Sequence, residues 1–254
     1  MEIITKLFLS FSHETVILPL IIIGYIWFNQ NVFFQAICLL LSSMLLNAAL
    51  KVTFKIPLNP ELGKTGFAFP SGHMQSTTVF YGWLYSHFKN FKFRIFIIFI
   101  LSGVGYSLVY NRFHNYLDVF GALFFGILLI LSARLVIKKY PKIYDLICIT
   151  FASLLMLYIY LMNTLTNYNW MVYLALIGII FSHRIFVKAF DIVLTKRLKL
   201  LNTLIAILLV GCIKMMFGLI DQNNVIYTLQ WLLVGLSLPF SRFICNKIKQ
   251  GTNA

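Results

Sequence analysis

The sequence predicts an all-α fold, a polytopic membrane helical bundle. Two observations carry this. The 254 residues are 60% hydrophobic and only 11% charged, where soluble domains run near a quarter charged. The apolar residues also fall into runs of roughly membrane-spanning length, about 20 residues, and the basic residues collect in short loops between them.

The elements follow in order. Met1 to Thr15 places Ile3, Ile4, Leu7, Phe8 and Phe11 at helical spacing, as an interfacial amphipathic helix does. Val16 to Phe28 is the first span; nothing in it has the pattern of a cleavable leader, so it is expected to insert and stay. Asn29-Gln30-Asn31 is a turn, and Val32 to Leu50 the second span. Lys51 to Phe69 is a polar break, because Pro57, Pro60, Gly63 and Gly66 forbid a continuous helix. Pro70 to His87 is the third span, opened by a proline whose missing N–H costs nothing there. Ile95 to Val109 and Tyr116 to Ile137 are the fourth and fifth, joined by a short turn. Four apolar runs follow: Tyr144 to Met162, Trp170 to Phe181, Leu201 to Ile220 and Val225 to Phe240. A basic stretch, His183 to Lys199, separates the second of these from the third.

The net charge of +14 points first to nucleic acid, but its distribution argues for topology. Basic clusters at 89–94, 138–142, 184–199 and 242–249 alternate with poorer loops at 110–115, 163–169 and 221–224. All four clusters can be cytoplasmic at once, as the positive-inside rule requires. The 51–69 segment and the 110–115 turn then share the outer face, which in a bacterium is the periplasm. Lys51, Lys55 and Lys64 break the rule on that face, a hint of anion binding. The partners expected are the lipid bilayer and a membrane lipid, and no nucleic acid. The four cysteines have no metal or redox spacing and read as buried small side chains.

The chain has five histidines and seven acidic residues. Two of those histidines and one carboxylate sit at the ends of apolar spans, in Pro70-Ser71-Gly72-His73 and in His114-Asn115-Tyr116-Leu117-Asp118. Ionisable groups at a membrane edge are functional hypotheses by default. A helix start at Ser71 and Gly72 offers N–H groups and a positive dipole end to a phosphate, glycine permits close backbone approach, and Lys51 adds charge. One histidine can attack phosphorus while the other protonates the leaving oxygen. Asp118 lies one helical turn from His114, able to accept its Nδ1–H and leave Nε2 free, the orienting role of a triad carboxylate. No metal and no cofactor is needed.

These residues resemble the type 2 phosphatidic acid phosphatase family, related to vanadium haloperoxidases, over about residues 1 to 140. The family pattern is K-x6-R-P, then P-S-G-H, then S-R-x5-H-x3-D. The resemblance implies that His114 is the nucleophile, Asp118 its orienter and His73 the general acid. It implies that Lys51, Ser71 and Gly72 contact phosphate. It further implies a six-helix phosphatase-like core, residues 1–162, with 163–254 as an extension of additional transmembrane helices of unknown role. Two family arginines are missing: Leu58-Asn59 stands where Arg-Pro is expected, and Ser107-Leu108 where Ser-Arg is. A bidentate guanidinium is hard to replace; Arg112, Lys55 or Lys64 are the candidates to supply the charge.

The expected function is therefore an integral membrane lipid-phosphate phosphatase of a bacterial inner membrane. Its site would face the periplasm and hydrolyse a phosphomonoester or diphosphate through a phosphohistidine. A lipid phosphotransferase of the same fold and an inactive lipid-binding or transport protein are the alternatives. Lys51 reads equally as a snorkelling lysine and Arg112 also as a loop charge; His13, His87 and His183 read as interfacial, and Lys214 is assigned no role.

Overall fold

The computed structural model describes residues 1–63, 65–187, 194–220 and 225–251. Lys64, the 188–193 part of the basic stretch and the 221–224 loop lie outside these residues. Among the described residues the chain is all-α, with a single antiparallel bridge between Pro57 and Phe67. The helices are α1 Glu2–Ser10, α2 Glu14–Ile23, α3 Gln30–Phe54, α4 Gly72–His87, α5 Phe91–Tyr110, α6 Tyr116–Lys139, α7 Tyr144–Leu161, α8 Asn167–Ser182, α9 Lys196–Phe217 and α10 Val225–Gly251.

Among the described residues, seven helices are long and apolar enough to cross a membrane: α3 and α5 to α10. The segments Glu2–Ser10 and Glu14–Phe28 qualify only together, as one span bent by 44°. The protein is an integral membrane protein. The expected third span differs from these seven: α4 ends after 16 residues, whereas α8, equally long as an α-helix, continues through a π-helical turn so that its apolar helix runs to Phe186. The first turns of α4 are polar (Ser71, His73, Gln75, Ser76, Thr77, Thr78), and its middle, from Met74 to Leu84, is mostly buried in protein, while His73, Tyr85 and His87 are exposed. Surrounding helices take over the role that lipid plays for the rest.

The chain divides into two compact units. One is Met1–Leu20 with Phe34–Leu165; the other is Ile21–Phe33 with Thr166–Ala254. In the first, α4 packs on α5 and α6. Helix α6 turns Ala122, Gly126, Ile130 and Ala133 inward and leaves Phe120, Phe124, Ile127, Leu128, Leu131 and Leu135 exposed. The inward side is narrow because small residues let backbones approach: a methyl on Gly126 would stand 3.1 Å from Thr78 Cβ, and one on Gly82 would stand 2.8 Å from Ile130. The outward side is the apolar stripe a lipid-facing helix needs.

The amino-terminal helix is not free at an interface. Phe8 lies against Gly103 of α5, where any Cβ would collide with its ring, and makes an edge contact with Phe99 at 5.2 Å. In the second unit α8 and α10 touch backbone to backbone through Gly178 and Gly235, and Ser182 Oγ donates to Leu236 O at 2.8 Å. His183 is buried rather than interfacial: its Nδ1 is 3.2 Å from the Tyr25 hydroxyl, which also accepts from Gln30 Nε2. Of the cysteines, Cys38, Cys148 and Cys245 are buried, while Cys212 is exposed.

Candidate active site

The first unit assembles its polar residues where α3 ends and α4 and α6 begin. Between α3 and α4 the chain makes a small hairpin, with Ala68 N–H donating to Ile56 O and Leu58 N–H to Gly66 O. Asn59 caps its tip by accepting from Glu61 N–H, and Gly63 takes a left-handed conformation at φ 58° that glycine adopts without strain. The hairpin returns Phe67 O to within 2.8 Å of Lys51 Nζ. An ammonium carries three donors, so among the described residues two of the three N–H groups of Lys51 remain for an anion.

Ser71 is the N-cap of α4, its hydroxyl accepting from Met74 N–H at 3.5 Å. Its own N–H donates to Asp118 O at 3.1 Å, which ties the start of α4 to the start of α6. Ser71 thus caps α4 and ties it to α6 while its O–H can still donate, and the Gly72 and His73 N–H groups have no partner among the described residues. They are the orphan donors every helix start leaves, at the positive end of the dipole.

A buried ladder holds this loop from below. Asn47 Nδ2 donates to Pro70 O at 3.1 Å and to Gln75 Oε1 at 2.9 Å; Gln75 Nε2 reaches Ser43 O and Oγ. Asn47 Oδ1 sits 3.1 Å from where a Gly72 Cβ would be, so only glycine fits there without a shift. Replacing Asn47 with alanine strands the Gln75 carbonyl in the core. The expected cost is about 1–3 kcal/mol of stability, with a fall in turnover of about tenfold as the loop loses its anchor. Thermal unfolding and steady-state kinetics on the same preparation check this; unchanged values for both would show that Asn47 anchors nothing.

His114 precedes α6. Its N–H and that of Phe113 both donate to Leu108 O, at 3.2 and 3.0 Å. The pair with Asp118 forms, but not as one turn of a continuous helix. Asn115 caps α6 in a capping box, its side chain accepting from Asp118 N–H at 2.8 Å while Asp118 Oδ2 accepts from Asn115 N–H at 3.1 Å. The same Oδ2 takes His114 Nδ1–H at 3.2 Å. Both side chains are nearly closed to solvent, 8% and 3% exposed. A carboxylate only accepts, so the proton sits on Nδ1 and Nε2 keeps its lone pair. Burial holds the His114 pKa below the usual range, and the Asp118 carboxylate pulls it back upward without cancelling that.

His73 lies close enough to feel the charges of His114 and Lys51, and Lys51 also lies within electrostatic reach of Asp118 and His114. The structure thus brings Lys51, Ser71, Gly72, His73, His114 and Asp118 to one place. The remaining expected cations behave differently. Arg112 is exposed, at φ 58°, with its guanidinium 3.5 Å from Glu61. Lys55 is exposed at the left-handed end of α3. Neither expected arginine position carries charge: Leu108 is buried in the packed core. Among the described residues, no three His, Cys, Asp or Glu side chains come together as a metal-holding group.

Sequence reasoning missed one neighbour. His13, in the break between α1 and α2, places its ring 5.4 Å from that of His73, tilted by 35°. Its only signal was a histidine at the joint of two apolar runs, 60 residues from the motif it meets.

The sequence model of the PAP2 superfamily matches residues 32–142, which spans α3 to α6 and every site residue named above except His13. No curated protein and no solved structure matches the chain.

Proposed function

We propose that the protein is an integral membrane lipid-phosphate phosphatase, since residues 32–142 match the PAP2 superfamily, whose members are generally phosphatases. It hydrolyses a lipid phosphomonoester or diphosphate without a metal. The observation that carries the reading is the buried His114–Asp118 pair at 3.2 Å, beside the free N–H groups that open α4. The substrate phosphate is held by Lys51 Nζ and by the Gly72 and His73 N–H groups. His114 Nε2 attacks phosphorus, and Asp118 stabilises the imidazolium character that develops. The bond to the leaving oxygen breaks, and His73 supplies that oxygen's proton. Water then attacks the phosphohistidine, returns a proton to His73 and releases orthophosphate.

The missing arginines make phosphate binding weaker than two bidentate contacts would give, and the orphan donors of α4 offset part of this. The alternation of basic loops supports a site on the outer face of a bacterial inner membrane. There a lipid headgroup reaches water while its chains stay in the bilayer.

The test is capture of the intermediate. Detergent-purified protein is mixed with a lipid phosphate labelled in its terminal phosphate and quenched within milliseconds. A protein-bound label that survives alkali and is lost in acid is expected, mapping to the peptide carrying His114. Phosphate release with no bound label at any time would remove the covalent mechanism.

A further inference from the structure

We propose that His13 is a specificity-determining residue of this site, contacting the departing phosphate of a lipid diphosphate, so that the preferred substrate is a diphosphate. The inference rests on the phosphatase reading above and deepens it.

Position is the first argument. His13 is exposed, and its ring stands 5.4 Å from His73. That spacing puts the His13 ring directly beside the general acid. The group beside the acid meets whatever lies beyond the scissile bond, because in-line attack places nucleophile and leaving oxygen on opposite sides of phosphorus.

His13 is also held there. Phe8 fills the notch at Gly103 of α5. The Tyr81 hydroxyl, from α4 itself, donates to Phe11 O at 3.1 Å. On the other side the N–H groups of Val16 and Ile17 both donate to His13 O at 3.1 Å, opening α2. The joint is therefore fixed to the same helix that carries His73.

Chemistry is the third argument. In a polyprenyl monophosphate the atoms beyond the leaving oxygen are a hydrocarbon chain, which has nothing to offer an imidazole N–H. In a diphosphate they are a second phosphate with anionic oxygens that accept strongly. The cations expected around the transferred phosphate are absent at Leu58 and Leu108, while the imidazole of His13 stands beside His73. The step balances. His114 Nε2 bonds the terminal phosphorus as the bridging P–O bond breaks. The electron pair stays on the bridging oxygen, which takes the His73 proton and leaves as part of a lipid monophosphate. Water completes the cycle, giving orthophosphate.

The experiment uses the full chain in detergent. It measures kcat and KM for a polyprenyl diphosphate, the monophosphate of the same tail and a soluble nucleoside diphosphate. The variants are His13→Ala, His13→Gln and His114→Ala. Wild type is expected to prefer the polyprenyl diphosphate. His13→Ala should lower the diphosphate-to-monophosphate ratio of kcat/KM by about tenfold, mostly through KM, as loss of a hydrogen bond to a charged group does. His13→Gln, which keeps a donor, should restore part of it. An unchanged ratio overturns the proposal, as does a nucleoside diphosphate turned over as well as the lipid. Wild-type activity surviving in His114→Ala removes the His114 mechanism on which the proposal rests, and no phosphate release from any substrate removes the phosphatase reading itself, both separate outcomes.

Discussion

Replacing His114 with alanine is expected to lower phosphate release by at least about 10⁴-fold, because removing a nucleophile abolishes the covalent route. The fold should survive. His114 stands before α6, and the capping box that starts that helix is made by Asn115 and Asp118. Asp118 Oδ2 keeps the Asn115 N–H at 3.1 Å when the imidazole donor is gone. A change in thermal midpoint of only a few degrees should therefore accompany the loss of turnover. Phosphate release near the wild-type rate from a folded variant would show that His114 does not attack phosphorus.

Asp118→Asn separates orientation from charge, and the sign of its pH effect is fixed by the site. The nucleophile must be neutral, so the acid limb of kcat/KM follows His114 in the free enzyme. Burial holds that pKa below about 6.5, the usual histidine value, and the Asp118 carboxylate pulls it back upward. The wild-type limb should lie below pH 6.5. With asparagine the upward pull is gone, so the limb moves further toward acid while the plateau drops. The drop should be about 100-fold or more, since an amide no longer dictates which ring nitrogen carries the proton. A limb that moves toward neutral pH, or a plateau within about threefold of wild type, would contradict the assignment.

Much of the site was legible because its residues form short local words. Ser71, Gly72 and His73 are adjacent and open a helix whose start is marked by Pro70. His114 and Asp118 lie four apart, and the Asn115 cap between them makes their contact a local event. Membrane segments were legible from composition for the same reason: each is a continuous run. The charge partners were not. Arg112 is adjacent to the site in sequence, yet the left-handed turn at φ 58° turns it to Glu61. Asn47 carries no motif, and its role exists only because α3 passes under Pro70. The short polar α4 looked like one more span, since its apolar residues read the same whether lipid or protein surrounds them.

By itself, then, the sequence determined that this is an all-α membrane protein, with two histidines, His73 and His114, and the carboxylate of Asp118 at the ends of particular segments. Those features depend on spacing within one helical turn and on the length of apolar runs, both local quantities. Tertiary structure alone decided what surrounds the three groups. It put Lys51 under the hairpin carbonyl of Phe67, tied Ser71 to Asp118 across two helices, and brought His13 from the amino-terminal joint to His73. Those contacts are set by which helices pack together and how closely glycines let them approach, and neither is written in the spacing of any single segment.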